Sequence, residues 1–176
     1  MGKTVYLIRH CQATGQEPDA ALTEEGKEQA HELVRFFETR MIQHIISSPF
    51  TRAIQTIKPL ADSRGLQIKI DDRLAERMLI SETMTDWLKR LEESFRDLDL
   101  KMAGGESSRE VEKLGMEVLE AAPNETVLSI HGNVIGLLLK RIDGLRGFKE
   151  WKELSHPDVY EVKVEKGNYF ARRIWS

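Results

Sequence analysis

Residues 4–8, Thr4-Val5-Tyr6-Leu7-Ile8, run without a charge and stop at Arg9-His10. A short apolar run bounded by polar residues predicts a strand buried on both faces. After a polar loop over 12–21, Thr23 offers an N-cap with Glu24 and Glu25 in the first turn, where a helix dipole favours acids. Ala30, Leu33, Val34 and Phe37 then keep the spacing of one buried helical face. A second strand is predicted over 43–47, and Ser48-Pro49 reads as the N-cap and first residue of the next helix, with Arg52 in its first turn. Ala53, Ile54, Ile57 and Leu60 give that helix its apolar face; Pro59 is expected to kink or end it.

Gly65 closes this unit, and 66–70 alternates like a third strand. Residues 71–106 are the least regular part, with a helical stretch near 84–98. Ser107 and Glu110 form a capping box that opens a helix carrying Val111, Leu114, Val118 and Leu119. A strand over 126–130 ends at His131-Gly132, and a helix with Val134, Ile135, Leu138 and Ile142 follows at once. Strands over 159–164 and 169–175 close the chain around a turn at 166–168. Strand and helix alternate, which predicts an α/β sandwich with a largely parallel sheet. The closing hairpin is too tightly joined to cross over, so it adds an antiparallel edge.

Composition narrows this picture without redirecting it. The 176 residues suit a single domain with a real core, and 40% hydrophobic against 31% charged content is ordinary for a soluble globular chain. A net charge of −3 advertises no surface for nucleic acid. Cys11 is the only cysteine, which rules out an intrachain disulfide framework and fits a reducing compartment. The apolar start is too short for a signal peptide, and the longest aliphatic run, over 134–139, is far too short for a membrane span, so a cytosolic protein is expected.

Candidate chemistry gathers at strand ends, where open α/β sheets bind ligands. The first strand delivers Arg9 and His10, the second delivers Arg52 through a tight turn, and the fourth delivers His131 at a helix start. Two guanidinium forks match phosphate oxygens, and two helix N-termini add backbone N–H groups, so the set reads as a phosphate site. Taken singly, each of these residues is more often structural. His31, His44 and His156 lack such company and are expected to be structural or exposed. Neither His10 nor His131 stands in a zinc-type spacing, so no metal site is expected. Gly2-Lys3-Thr4 precedes the strand instead of following it, which sets aside a P-loop.

The series of short motifs resembles the histidine phosphatase superfamily, the phosphoglycerate mutase-like proteins. It comprises Leu7-Ile8-Arg9-His10; Leu22-Thr23 with Gly26 and Gln29-Ala30; Ser47-Ser48-Pro49 with Thr51-Arg52-Ala53 and Gln55-Thr56; Leu74-Ala75-Glu76; Gly104-Gly105-Glu106-Ser107; and Ser129-Ile130-His131-Gly132. The resemblance spans residues 5 to about 139. It implies a three-layer α/β/α sandwich whose His10 takes the phosphoryl group as a phosphohistidine. It further implies that Arg9, Arg52 and His131 hold the phosphate, that His131 also serves catalysis, and that Glu76 protonates the leaving alkoxide. Gln12 and Arg77 are candidate substrate contacts, and residues 77–104 would form a short lid that sets substrate choice.

Two positions depart from the family pattern. Cys11 replaces the usual Gly after the histidine, where its side chain either narrows the approach to the phosphate or points away. Its thiol is either activated by the basic surroundings or simply packed. Ala13 stands where a polar residue is common. The resulting expectation is a phosphomonoester hydrolase acting on a small phosphorylated metabolite, without metal or other cofactor, because fixed cations can stabilise the transferring phosphoryl group. A phosphoglycerate mutase and a non-catalytic phosphate-binding module are the alternatives. Neither nucleic acid nor membrane is expected as a partner.

Overall fold

The computed structural model describes residues 2–75, 87–99, 107–144 and 147–175. Strand β1 (Lys3–Arg9) runs through the middle of the molecule, with Val5, Tyr6, Leu7 and Ile8 all buried. Its side chains alternate between two cores. Val5 and Leu7 enter one apolar cluster, Tyr6 and Ile8 the other. A strand without a solvent face must be covered by helices on both sides, which explains the uninterrupted apolar run.

Strands β2 (His44–Ser47), β3 (Ile68–Ile70) and β4 (Thr126–Ile130) join β1 in parallel, and β5 (Asp158–Glu165) pairs with β1 antiparallel. Strand β6 (Asn168–Arg173) completes a six-stranded sheet in the order β3-β2-β4-β1-β5-β6. The mostly parallel sheet with an antiparallel edge is the expected architecture.

Helices α1 (Glu24–Phe36) and α2 (Thr51–Arg64) pack Leu33, Ile57 and Leu60 against one sheet face. Helices α3 (Trp87–Arg96), α4 (Ser108–Ala121), α5 (Gly132–Ile142) and α6 (Phe148–Glu153) lie with the second cluster, where Phe95, Leu119, Leu138 and Trp151 meet Leu7, Leu128 and Ile130. The result is three layers. Helix α6 falls in a stretch that the sequence pattern left unread. Of the segment expected to lie over the site, only 87–99 falls within the described residues.

Local signals account for most element ends. Thr23 Oγ1 accepts from Gly26 N at 3.0 Å to cap α1, and the Ser107–Glu110 capping box opens α4. Gly26 also lets the loop over 12–21 close on α1, since a Cβ there would lie 2.1 Å from the Gln12 carbonyl oxygen.

Two expectations about α2 require correction. The helix starts at Thr51 with Phe50 as N-cap, because the Ser48 hydroxyl serves the strand-end turn instead. It also continues through Pro59 to Arg64. Thr56 and Ile57 before the proline and Leu60 and Ala61 after it are all buried, so tertiary packing outweighs the lost backbone bond.

The connections decide where a ligand can sit. From the neighbouring parallel strands β1 and β4, the chain leaves toward opposite faces: to α1 on one side and α5 on the other. Adjacent strands whose exits diverge leave a crevice beyond their carboxyl ends. No helix among the described residues is long and apolar enough to cross a membrane.

Candidate active site

Arg9 and His10 end β1, and His131 follows β4 directly across that crevice. Backbone pairing continues past the strand, with His10 N donating to Ile130 O at 3.1 Å, and this brings the two imidazoles side by side. Their ring centroids are 5.3 Å apart. Arg52, on the first turn of α2, is fully buried, and its Nε–H donates to His10 Nε2 at 3.3 Å. The structure thus brings Arg9, His10, Arg52 and His131 to one place.

The bonds around His10 fix its protonation. Nδ1 lies 2.7 Å from the Cys11 carbonyl oxygen, which can only accept, so this nitrogen carries the hydrogen. Nε2 faces the Arg52 Nε–H, which can only donate, so it presents a lone pair. Burial pushes the His10 pKa down to about 3, assisted by the charges of Arg52, His156 and Arg9 and opposed by the Cys11 carbonyl bond. Burial also holds His131 well below the ordinary imidazole range, with His10, Arg52 and Arg9 acting in the same direction. The imidazoles are therefore neutral, and the site's positive charge belongs to its guanidinium groups.

Among the described residues, backbone oxygens anchor each cation. Arg52 Nη1 donates to Glu17 O at 2.9 Å and Gln16 O at 3.3 Å, and Arg9 Nη1 donates to Leu154 O at 2.9 Å. Carbonyl partners orient a guanidinium without cancelling its charge, which leaves it to act on an anion. The Phe50 ring backs both Arg52, at 4.9 Å, and His131, at 5.1 Å. The Ser48 hydroxyl accepts from Phe50 N at 3.2 Å and lies 2.8 Å from His131 Nε2. Ser48 thereby orients the second imidazole.

The start of α5 lies close against Arg9. A Cβ on Gly132 would come 3.0 Å from Arg9 Nε, so any larger residue there would press on the guanidinium. Next to it, Asn133 is 6% exposed, and neither its side-chain nitrogen nor its oxygen is hydrogen-bonded among the described residues.

Cys11 resolves one open question. Its backbone N–H donates to Thr56 Oγ1 at 2.8 Å, and its side chain packs into the cluster beneath α1 and α2, away from the phosphate approach. Burial pushes the thiol up to about 12, with the Thr56 hydroxyl opposing, so the thiol is packed and not activated. Gln12 is exposed, and its side-chain oxygen accepts from the Thr23 hydroxyl at 2.7 Å. Glu76 and Arg77 lie outside the described residues. Among the described residues, no group of three or more His, Cys, Asp or Glu side chains is placed to hold a metal ion.

One residue set aside on sequence grounds belongs here. His156 lies with its ring centroid 5.3 Å from that of His10, and its Nδ1 is 3.4 Å from the His10 carbonyl oxygen. No motif spacing marks it, because the turn before β5 brings it in from the far end of the chain. Ser48 was legible only as an expected helix cap. The Leu154 carbonyl carries no side-chain signal at all.

An imidazole lone pair held among arginines at the carboxyl edge of such a sheet has a family context. The chain belongs to the histidine phosphatase superfamily (branch 1), whose family model matches residues 5–174. The probable phosphoglycerate mutase GpmB of Yersinia pestis is 31% identical over 188 aligned residues, covering 95% of this chain and 87% of that protein. The protein of the same name from Erwinia tasmaniensis is 28% identical over 161 residues, covering 80% and 75%. Among solved structures, a mycobacterial glucosyl-3-phosphoglycerate phosphatase superposes with a TM-score of 0.77 at 21% identity, covering 98% of each chain. The alpha-ribazole phosphatase from Shigella flexneri gives 0.75 at 18% identity, covering 98% of this chain and 96% of that one. At these identities the solved structures establish the fold.

Proposed function

We propose that the protein is a phosphomonoester hydrolase that passes the phosphoryl group through His10. The observation that carries this reading is the fixed tautomer of His10. A carbonyl holds Nδ1–H and a guanidinium N–H faces Nε2, so a neutral nitrogen lone pair is set beside two phosphate-binding cations. Phosphoryl transfer asks mainly for such positioning and charge stabilisation.

In the first step His10 Nε2 bonds to phosphorus as the ester P–O bond breaks. Arg9, Arg52 and His131 take up the charge on the phosphoryl oxygens, and the leaving alkoxide receives a proton from Glu76. Water then attacks phosphorus, the P–N bond breaks, and its proton returns to the Glu76 carboxylate as inorganic phosphate leaves. Glu76 has this role by resemblance alone.

The names of the curated relatives favour a second reading, a phosphoglycerate mutase. A mutase must return the phosphoryl group to a second hydroxyl before water intervenes. The segment over residues 77–104 is short for a lid, and this supports hydrolysis. Purified protein should release inorganic phosphate from p-nitrophenyl phosphate and from members of a panel of phosphorylated metabolites. Isomerisation of 3-phosphoglycerate without phosphate release would establish the mutase instead. Phosphate binding with no turnover of any ester would leave a binding module.

A further inference from the structure

We propose that His156 is a third imidazole of the phosphate site, which takes up a proton when a phosphomonoester dianion binds and then donates a hydrogen bond to it. This deepens the hydrolase reading and rests on the same pocket. Unlike His10 and His131, His156 is exposed, so it stands at the rim and not in the floor. Its Nδ1–H donates to the His10 carbonyl, which places Nε2 on the ring edge away from that carbonyl. The turn that carries it is built for a fixed position. Asp158, 1% exposed, accepts from Ser155 N at 3.0 Å and from Arg173 Nε at 2.9 and 3.1 Å, while Arg173 Nη2 reaches Ser155 Oγ at 3.3 Å. Two residues before His156, Leu154 O holds Arg9. One turn therefore positions both a phosphate-site arginine and this imidazole.

The charges around His156 give its response a sign. Partial burial of its ring lowers its pKa, the Arg9 and Arg52 guanidiniums lower it further, and its bond to the His10 carbonyl opposes them. The nearby Asp158 carboxylate is committed to Arg173. A dianion entering between Arg9 and Arg52 offsets both cations and favours the imidazolium. The proton then makes a third charge-assisted donor, which exists only while the ligand is present.

The test uses inorganic phosphate as probe, with titration calorimetry at pH 7 and pH 8.5 in two buffers of different ionisation enthalpy. Two variants separate the roles. His156→Asn keeps a donor where Nδ1 was but loses Nε2 and the titration, and His156→Ala loses both. Binding as the dianion at pH 7 also releases a ligand proton from the phosphate monoanion, equally in wild type and variant, so wild type should show a net uptake larger than that of His156→Asn by a fraction of a proton. His156→Asn should lack that extra uptake and bind about tenfold more weakly, with the gap closing to twofold or less at pH 8.5. With p-nitrophenyl phosphate, KM should rise while kcat holds.

Unchanged affinity and proton uptake in both variants would overturn the proposal. So would His156→Asn behaving as wild type while His156→Ala loses kcat, since His156 would then be a positioning residue for His10. Circular dichroism of both variants should match wild type, which checks that each is folded. Wild type that binds phosphate with proton uptake but hydrolyses nothing would sink the hydrolase and leave this inference standing.

Discussion

The neutrality of buried His10 can be measured as stability. His10 is 4% exposed and, through burial, titrates at about 3 in the fold against an ordinary value of 6.5. A depressed folded-state pKa means that the unfolded chain binds the proton first. The associated stability is complete above pH 6.5 and is lost as pH falls from there toward 3. Each pH unit in that window costs about 1.4 kcal/mol, so at pH 5.0 His10 should have cost the fold about 2 kcal/mol relative to pH 7.5. His10→Gln keeps a polar side chain without the titration. Urea unfolding of both proteins at the two pH values reports chiefly on this residue, because burial, the largest cause of the lowered His131 and His156 values, is common to both proteins. With a urea slope of about 2 kcal/mol/M, the wild-type midpoint should fall about 1 M further than that of the variant. Parallel falls in the two midpoints would refute a neutral, dry His10 and, with it, the lone pair on Nε2.

Other consequences follow from the same geometry. His10→Ala should abolish hydrolysis, whereas Glu76→Gln should retain a residue of activity about 10²–10⁴-fold below wild type and build up an acid-labile, alkali-stable phosphoenzyme; equal losses would remove the distinction between nucleophile and acid. Excess chelator should leave wild-type turnover unchanged, and inactivation reversed by Mg²⁺ would show that the arginines are not sufficient. Ser48→Ala removes the hydroxyl that meets both His131 Nε2 and the Phe50 N–H, so it should cost about 1–3 kcal/mol in urea unfolding and lower kcat/KM. Cys11 should react with a thiol reagent only after denaturant is added; rapid labelling of the native protein would place its side chain in the pocket and not in the core.

What the sequence made legible was whatever repeats along it or sits at its punctuation. The alternation of Val5 and Leu7 with Tyr6 and Ile8, the Thr23 cap and the Ser107–Glu110 box all act within a few residues, and local rules reached them. Arg9, His10, Arg52 and His131 were legible as a group because each ends a strand or starts a helix, and strand ends of one sheet share an edge. His156 obeys no such rule. Its place depends on how the turn before β5 is braced by an ion pair from β6, a contact between residues that lie on different strands and are separated along the sequence. Pro59 misled for the opposite reason: a strong local signal was overridden by packing on both sides of it. Ser48 showed a third kind of limit, a side chain with two local uses of which the fold employed the one that serves the neighbouring imidazole.

Arg173 lies three residues from the last, yet it holds the turn whose Leu154 oxygen grips Arg9 near the beginning of the chain. A polypeptide lacking that closing hairpin would still carry His10 but would lose the brace that steadies the Leu154 oxygen on the neighbouring guanidinium. Fragments cut before the hairpin should therefore bind phosphate poorly even where they collapse.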